Sequence, residues 1–109
     1  PLPGILSILH RVSGAGIFLL LPFLLWLFQG SLVSPETFAS IKGVVAHPLV
    51  KIVLLGLLWF YMHHFCAGIR YLLLDLHKGI ELEAARLSSK IVFAVSIALT
   101  LIIGARVLW

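Results

Sequence analysis

The residues best able to do chemistry stand where ionisable groups are costly, inside a long apolar run from Leu49 to Leu74 that is broken only by Lys51, His63, His64 and Arg70. A charge at the centre of a membrane span costs roughly 2.5–3.5 kcal/mol, so such residues invite a functional reading. On a helix, Gly68, Tyr71 and Asp75 fall within about 40° of His64, and Asp75 lies ~16 Å along the axis. Gly68, one turn away, predicts a notch beside the imidazole that a flat macrocycle could enter. A neutral imidazole is a good ligand for haem iron, its second nitrogen held by an acceptor. The alternative is a histidine that merely hydrogen-bonds across a helix interface. His63 points ~100° away and reads as a polar interface contact. Arg70, ~9 Å from His64 along the axis, could pair with haem propionates or snorkel to the headgroups.

A second group opens the first apolar stretch, in Ser7-Ile8-Leu9-His10-Arg11-Val12-Ser13-Gly14. Ser7, Arg11, Gly14 and Phe18 share a face, with His10 about 60° from Ser7. A hydroxyl and a guanidinium where apolar helix meets water would suit the carbonyl oxygens of a quinone. The plainer reading makes Ser7 a helix cap and Arg11 a headgroup anchor. His10, close to this boundary, is expected to differ in height from His64 by ~10–15 Å. Two nitrogens on one iron lie about 4 Å apart, given metal–nitrogen bonds of ~2 Å. His47 and His77 fall in connections on opposite sides, so a second axial ligand is expected from another chain.

The elements that carry these groups are membrane spans. The chain has 109 residues, 61% hydrophobic and 11% charged, against about 25% charged in soluble domains. A chain this short forms one domain at most and could not hide so much apolar surface in a soluble core. The uncharged run Val12 to Phe28 covers ~26 Å, Leu49 to Leu74 ~39 Å, and Ile91 to Val107 completes a third span. The expected fold is therefore an all-α membrane protein, a single transmembrane domain with three transmembrane helices at about 7–29, 49–75 and 88–108. An interfacial loop over 30–48 and a polar loop over 76–87 join them. Pro22 predicts a kink. Ser34-Pro35-Glu36 marks a short helix along the interface.

The net charge is +4, scattered singly, which suits contact with membrane lipid and gives no footing for nucleic acid. Arg11, Arg70, Lys78, Arg86 and Lys90 lie on one side and Lys42, Lys51 and Arg106 on the other, which places the N-terminus in the cytoplasm or mitochondrial matrix. Cys66 is single, so no internal disulfide forms; inside an apolar helix it reads as a small hydrophobe. No cleavage pattern follows the first span. Because the sequence begins at Pro1, a short leader ahead of it is expected.

Two motifs carry a resemblance. Ser7-Ile8-Leu9-His10-Arg11-Val12-Ser13-Gly14 resembles the S-I-x-H-R-x-S/T-G signature of the cytochrome b large anchor subunit of succinate dehydrogenase (succinate:quinone oxidoreductase). His64-Phe65-Cys66-Ala67-Gly68-Ile69-Arg70 with Asp75 resembles that family's H-x-x-x-G-x-R signature with an Asp beyond it. The resemblance covers essentially the whole chain. It implies that His64 is an axial ligand of haem b, with the other ligand from a small membrane-anchor subunit. It implies that Ser7 and Arg11 line a ubiquinone site with Ile8 nearby, menaquinone being the other quinone to consider. His10 and Arg70 would lie near the haem propionates and Asp75 near the iron–sulfur subunit. Bacterial relatives often carry His directly after the Arg; this chain has Tyr71, whose phenol can still donate to a propionate. A flavoprotein subunit would oxidise succinate, and the complex would sit in the bacterial inner membrane or, alternatively, the mitochondrial one. Three rivals stand beside this reading. The anchor of a quinol:fumarate reductase would run the reaction in reverse. A transporter subunit would need ionisable residues on all three spans, yet the third has none between Ile91 and Ala105. A structural anchor without haem would be indifferent to loss of His64.

Overall fold

The computed structural model describes residues 1–109 and is helical nearly throughout. Four helices follow in order: α1 Leu2–Val33, α2 Pro35–Ala46, α3 Pro48–Asp75 and α4 Leu82–Val107. The three long ones are each apolar and long enough to cross a membrane, so the expected three-span all-α architecture holds. The molecule measures 55 × 23 × 19 Å, a slender bundle rather than a globule. Only 13 of the 109 residues are buried, and Phe18, Leu19 and Val107 each expose more than 70% of their surface. With no internal core to hold them, these side chains are solvated by lipid or by other chains.

The helix ends depart from the sequence expectation. α1 begins at Leu2, not near Ser7, because Pro3 falls in the first turn, where its missing N–H is no loss. It runs unbroken through Pro22 to Val33. Within the expected connection over 30–48, the short helix marked by Ser34-Pro35-Glu36 is present as α2 and fills most of it. The Ser34 hydroxyl caps it by accepting from the Thr37 N–H at 3.0 Å, and Gly30 lets Ile41 close onto α1, since a Cβ there would come within 2.6 Å of it. The expected polar loop over 76–87 shrinks to Leu76–Glu81, where His77 and Gly79 take left-handed backbone (φ 59° and 66°) and stop α3. His47 caps α3, its Nδ1 accepting from the Leu49 N–H at 3.1 Å.

Where α1, α3 and α4 meet, Leu6, Ala67 and Val92 form the buried centre. Small residues permit this closeness, as is usual between membrane helices. Ser89, Ser96, Thr100 and Gly104 form a buried stripe along α4, and a Cβ at Gly104 would stand 2.6 Å from Leu55 Cδ1. The hydroxyls of Ser96 and Thr100 bond back to the carbonyls of Phe93 and Ser96, so they are buried between helices without orphaned polar groups. At the far end, Lys51 lies over the Trp109 ring, 5.0 Å from its centroid, tying the start of α3 to the end of α4.

Candidate functional site

The contact of Leu6 with Ala67 sets the height of everything above it. His10 is one turn past Leu6 on α1, and His64 is nearly one turn past Ala67 on antiparallel α3. Both therefore stand at the same level, and their rings stack with centroids 4.1 Å apart and planes 6° from parallel. The expected height difference of ~10–15 Å does not exist. The difference lies in the helix start: beginning α1 at Leu2 adds five residues of helix, or ~7.5 Å, ahead of the expected start at Ser7. The expected notch is also reassigned. A Cβ at Gly68 would find only His10 Nε2, at 3.9 Å, whereas a Cβ at Gly14 would lie 2.8 Å from His64 Cε1 and 3.1 Å from its Nδ1. Gly14, on α1, is the residue that makes room for the His64 ring.

The hydrogen bonding of His64 fixes its tautomer. Its Nδ1 lies 3.1 Å from the His10 backbone carbonyl. A carbonyl oxygen only accepts, so Nδ1 carries the proton and Nε2 keeps its lone pair. The Ser13 hydroxyl donates to the same carbonyl at 3.0 Å and stands 3.5 Å from His64 Nδ1. Ser13 is 1% exposed. An imidazole with one nitrogen held by a backbone acceptor and the other free is the donor a haem iron uses. No group of three or more His, Cys, Asp or Glu side chains comes together to hold a metal ion, so a metal at His64 must take its remaining donors from elsewhere. A porphyrin supplies four. His10 is no fifth or sixth ligand in this geometry: imidazole lone pairs lie in the ring plane, and two face-to-face rings cannot aim them at an atom between.

The other expected residues divide into those that join this site and those that do not. The Tyr71 ring lies 5.1 Å from the His10 ring, extending the His10–His64 face toward the α3 end. Arg70 is 94% buried. It neither snorkels nor hangs free, but reaches across to α4, Nε donating to Ser88 Oγ at 2.8 Å and Nη2 to the Ala85 carbonyl at 3.2 Å. Its Cζ is 5.7 Å from the Tyr71 ring centroid, so the guanidinium borders the same region. Ser7 is half-buried, while Ile8, Arg11 and Asp75 are exposed; Asp75 ends α3. A cavity of about 380 Å³ lies between α3 and α4 beside Arg70, Lys78 and Ser88, and includes none of Ser7, Ile8 or Arg11.

His63 sits at the helix interface as expected, fully buried and packed against Trp59 and Phe93 at 5.1 and 5.2 Å, with neither ring nitrogen in a well-formed hydrogen bond. Two residues of the site, Ser13 and Gly14, were not singled out beside His64 from the sequence. Both lie in the first motif, and their relation to His64 depends on how α1 sits against α3.

Comparison with known proteins agrees with this picture. The family described as "Succinate dehydrogenase/Fumarate reductase transmembrane subunit" matches residues 1–103. The succinate dehydrogenase cytochrome b556 subunit of Paracoccus denitrificans is 33% identical over 102 residues, covering 94% of this chain and 78% of that protein. The subunit of the same name from Coxiella burnetii is 32% identical over 105 residues, covering 95% and 84%. That from Rickettsia bellii is 33% identical over 100 residues, covering 90% and 76%. With three apolar spans, a tautomer-fixed histidine within them and a match along nearly its whole length, the chain belongs to the succinate dehydrogenase/fumarate reductase transmembrane subunit family.

Proposed function

We propose that this chain is the haem b- and quinone-binding anchor of a succinate dehydrogenase, with His64 as one axial ligand of the haem. The observation that carries this is the Nδ1–H···O=C bond from His64 to His10, which leaves Nε2 unprotonated beside Gly14, the α1 residue that makes room for the ring. Bound there, haem b would supply one-electron storage between the donors of the complex and quinone. His64 holds the iron from one side. The other ligand would come from a small partner anchor subunit, a role supported by the stacking of His10 on His64 and by the packing of His63 against Trp59 and Phe93, which turn both neighbouring histidines to other contacts.

The remaining residues orient and bind. His10 and Tyr71 border the propionate edge on the N-terminal side, and Arg70 adds a buried positive charge there, held in place by Ser88 and Ala85. Ser7 and Arg11 offer a hydroxyl and a guanidinium to the carbonyl oxygens of ubiquinone, with Ile8 against its ring. All three lie near the start of α1, Ile8 and Arg11 exposed and Ser7 half-buried, so other subunits would complete the pocket. Asp75 faces the iron–sulfur subunit, which receives electrons from a flavoprotein. This chain carries out no succinate chemistry itself. The excess of Lys and Arg on the N-terminal side supports a cytoplasmic N-terminus in a bacterial membrane.

The test is a reduced-minus-oxidised visible spectrum of the purified complex with and without His64→Leu. A b-type signal lost only in the variant, with flavoprotein still co-purifying, supports the proposal; an unchanged signal refutes it. The family also includes fumarate reductase anchors, and identification of the extracted quinone together with a redox titration separates the two directions of reaction.

A further inference from the structure

Several hydroxyls in the spans bond back to carbonyls of their own helix, and for Ser96 and Thr100 that bond simply satisfies the hydroxyl. At Ser13 the same back-bond ends on an atom with another duty. The His10 carbonyl accepts from Ser13 Oγ at 3.0 Å and from His64 Nδ1 at 3.1 Å. It also lies on the backbone ladder of α1, whose i→i−4 bond comes from the Gly14 N–H. An oxygen has two lone pairs, so donors on one carbonyl weaken one another. Ser13 Oγ is itself 3.5 Å from His64 Nδ1, too long to replace the carbonyl as that proton's main acceptor.

We propose that Ser13 is a positioning residue which sets the donor strength of His64 by sharing the His10 carbonyl with it. The inference rests on the reading that His64 binds haem iron. A firm N–H···O bond at the far nitrogen makes an imidazole more basic and pushes electron density toward the metal; a shared carbonyl makes that bond less firm. More density at the iron favours the oxidised state, so the sharing holds the haem potential up. Because the acceptor belongs to α1, the helix carrying Ser7 and Arg11, any movement of α1 against α3 changes the same bond.

The experiment is a spectroelectrochemical titration of the haem in the whole detergent-purified complex for wild type, Ser13→Ala, Ser13→Thr and His64→Leu. The expected result is a haem retained in Ser13→Ala with its midpoint moved to lower potential, a midpoint restored toward wild type by Ser13→Thr, and no haem in His64→Leu. A Ser13→Ala midpoint equal to wild type, or moved upward, overturns the role of Ser13 while leaving His64 as the ligand. Loss of haem from an assembled Ser13→Ala complex also overturns it, since the hydroxyl would then hold the site together rather than tune it. Haem retained in His64→Leu overturns the ligand assignment, and this inference with it.

Discussion

Replacing Gly14 with alanine sets two physical effects against each other, and the structure says which wins. In a helix interior alanine is favoured over glycine by about 0.8–1.0 kcal/mol, so on propensity alone the change stabilises α1. The added methyl, however, would lie 2.8 Å from His64 Cε1, where ordinary carbon contacts are ~3.5–4.0 Å. The ring must retreat by ~0.7 Å or more. A retreat of that size away from α1 stretches the 3.1 Å bond to the His10 carbonyl out of hydrogen-bonding range. Overpacking of this kind costs about 1–3 kcal/mol, which corresponds to about 5- to 150-fold in haem dissociation constant if it falls on the bound state. The control is Gly56→Ala on α3, where a Cβ meets nothing within 4 Å and the propensity gain stands unopposed. Haem per complex, measured as the pyridine haemochrome after dilution below the wild-type saturation range, should fall for Gly14→Ala and hold for Gly56→Ala. Equal haem content in the two variants refutes the assignment of Gly14 as the residue that makes room for the ligand.

Three further outcomes follow from named contacts. Arg70→Leu removes two charge-assisted bonds between α3 and α4, each worth about 1.5–3 kcal/mol, and should lower the Tm of the complex in detergent; an unchanged Tm would mean the clamp is idle. Ser34→Ala deletes the cap of α2 at a cost of ~1 kcal/mol, and hydrogen exchange should quicken at the first turn of α2 and not in α3. His63→Leu replaces a buried imidazole whose nitrogens make no well-formed hydrogen bond; relief of that desolvation, about 1–3 kcal/mol, should raise the Tm with the haem spectrum unchanged, and a lost spectrum would transfer the ligand role to His63.

The spans were legible because each is a long run that only a bilayer could solvate, and periodicity within α3 placed Gly68, Tyr71 and Asp75 on one face with His64. Ser34-Pro35 marked the start of α2 because capping is local chemistry. What a single helix cannot encode is its pairing. The level of His10 depended on two facts from outside the motif: a proline-containing first turn that remains helical, and the seating of Leu6 on Ala67. The glycine beside His64 was sought one turn along its own helix, yet it comes from α1, because the space a ring occupies is bounded by the neighbouring helix. Arg70 was read as facing either headgroups or propionates; its bonds to Ser88 and Ala85 became possible only because α4 starts at Leu82, six residues earlier than the apolar pattern alone indicated.

Exchanging the ligand tests the central claim more directly than deleting it. In the purified complex, His64→Met keeps a donor atom at the site while changing its nature, and a methionine ligand raises the potential of a haem. The account predicts a retained haem with an altered visible spectrum and a raised midpoint. A spectrum and midpoint identical to wild type would show that the iron is bound by some other side chain.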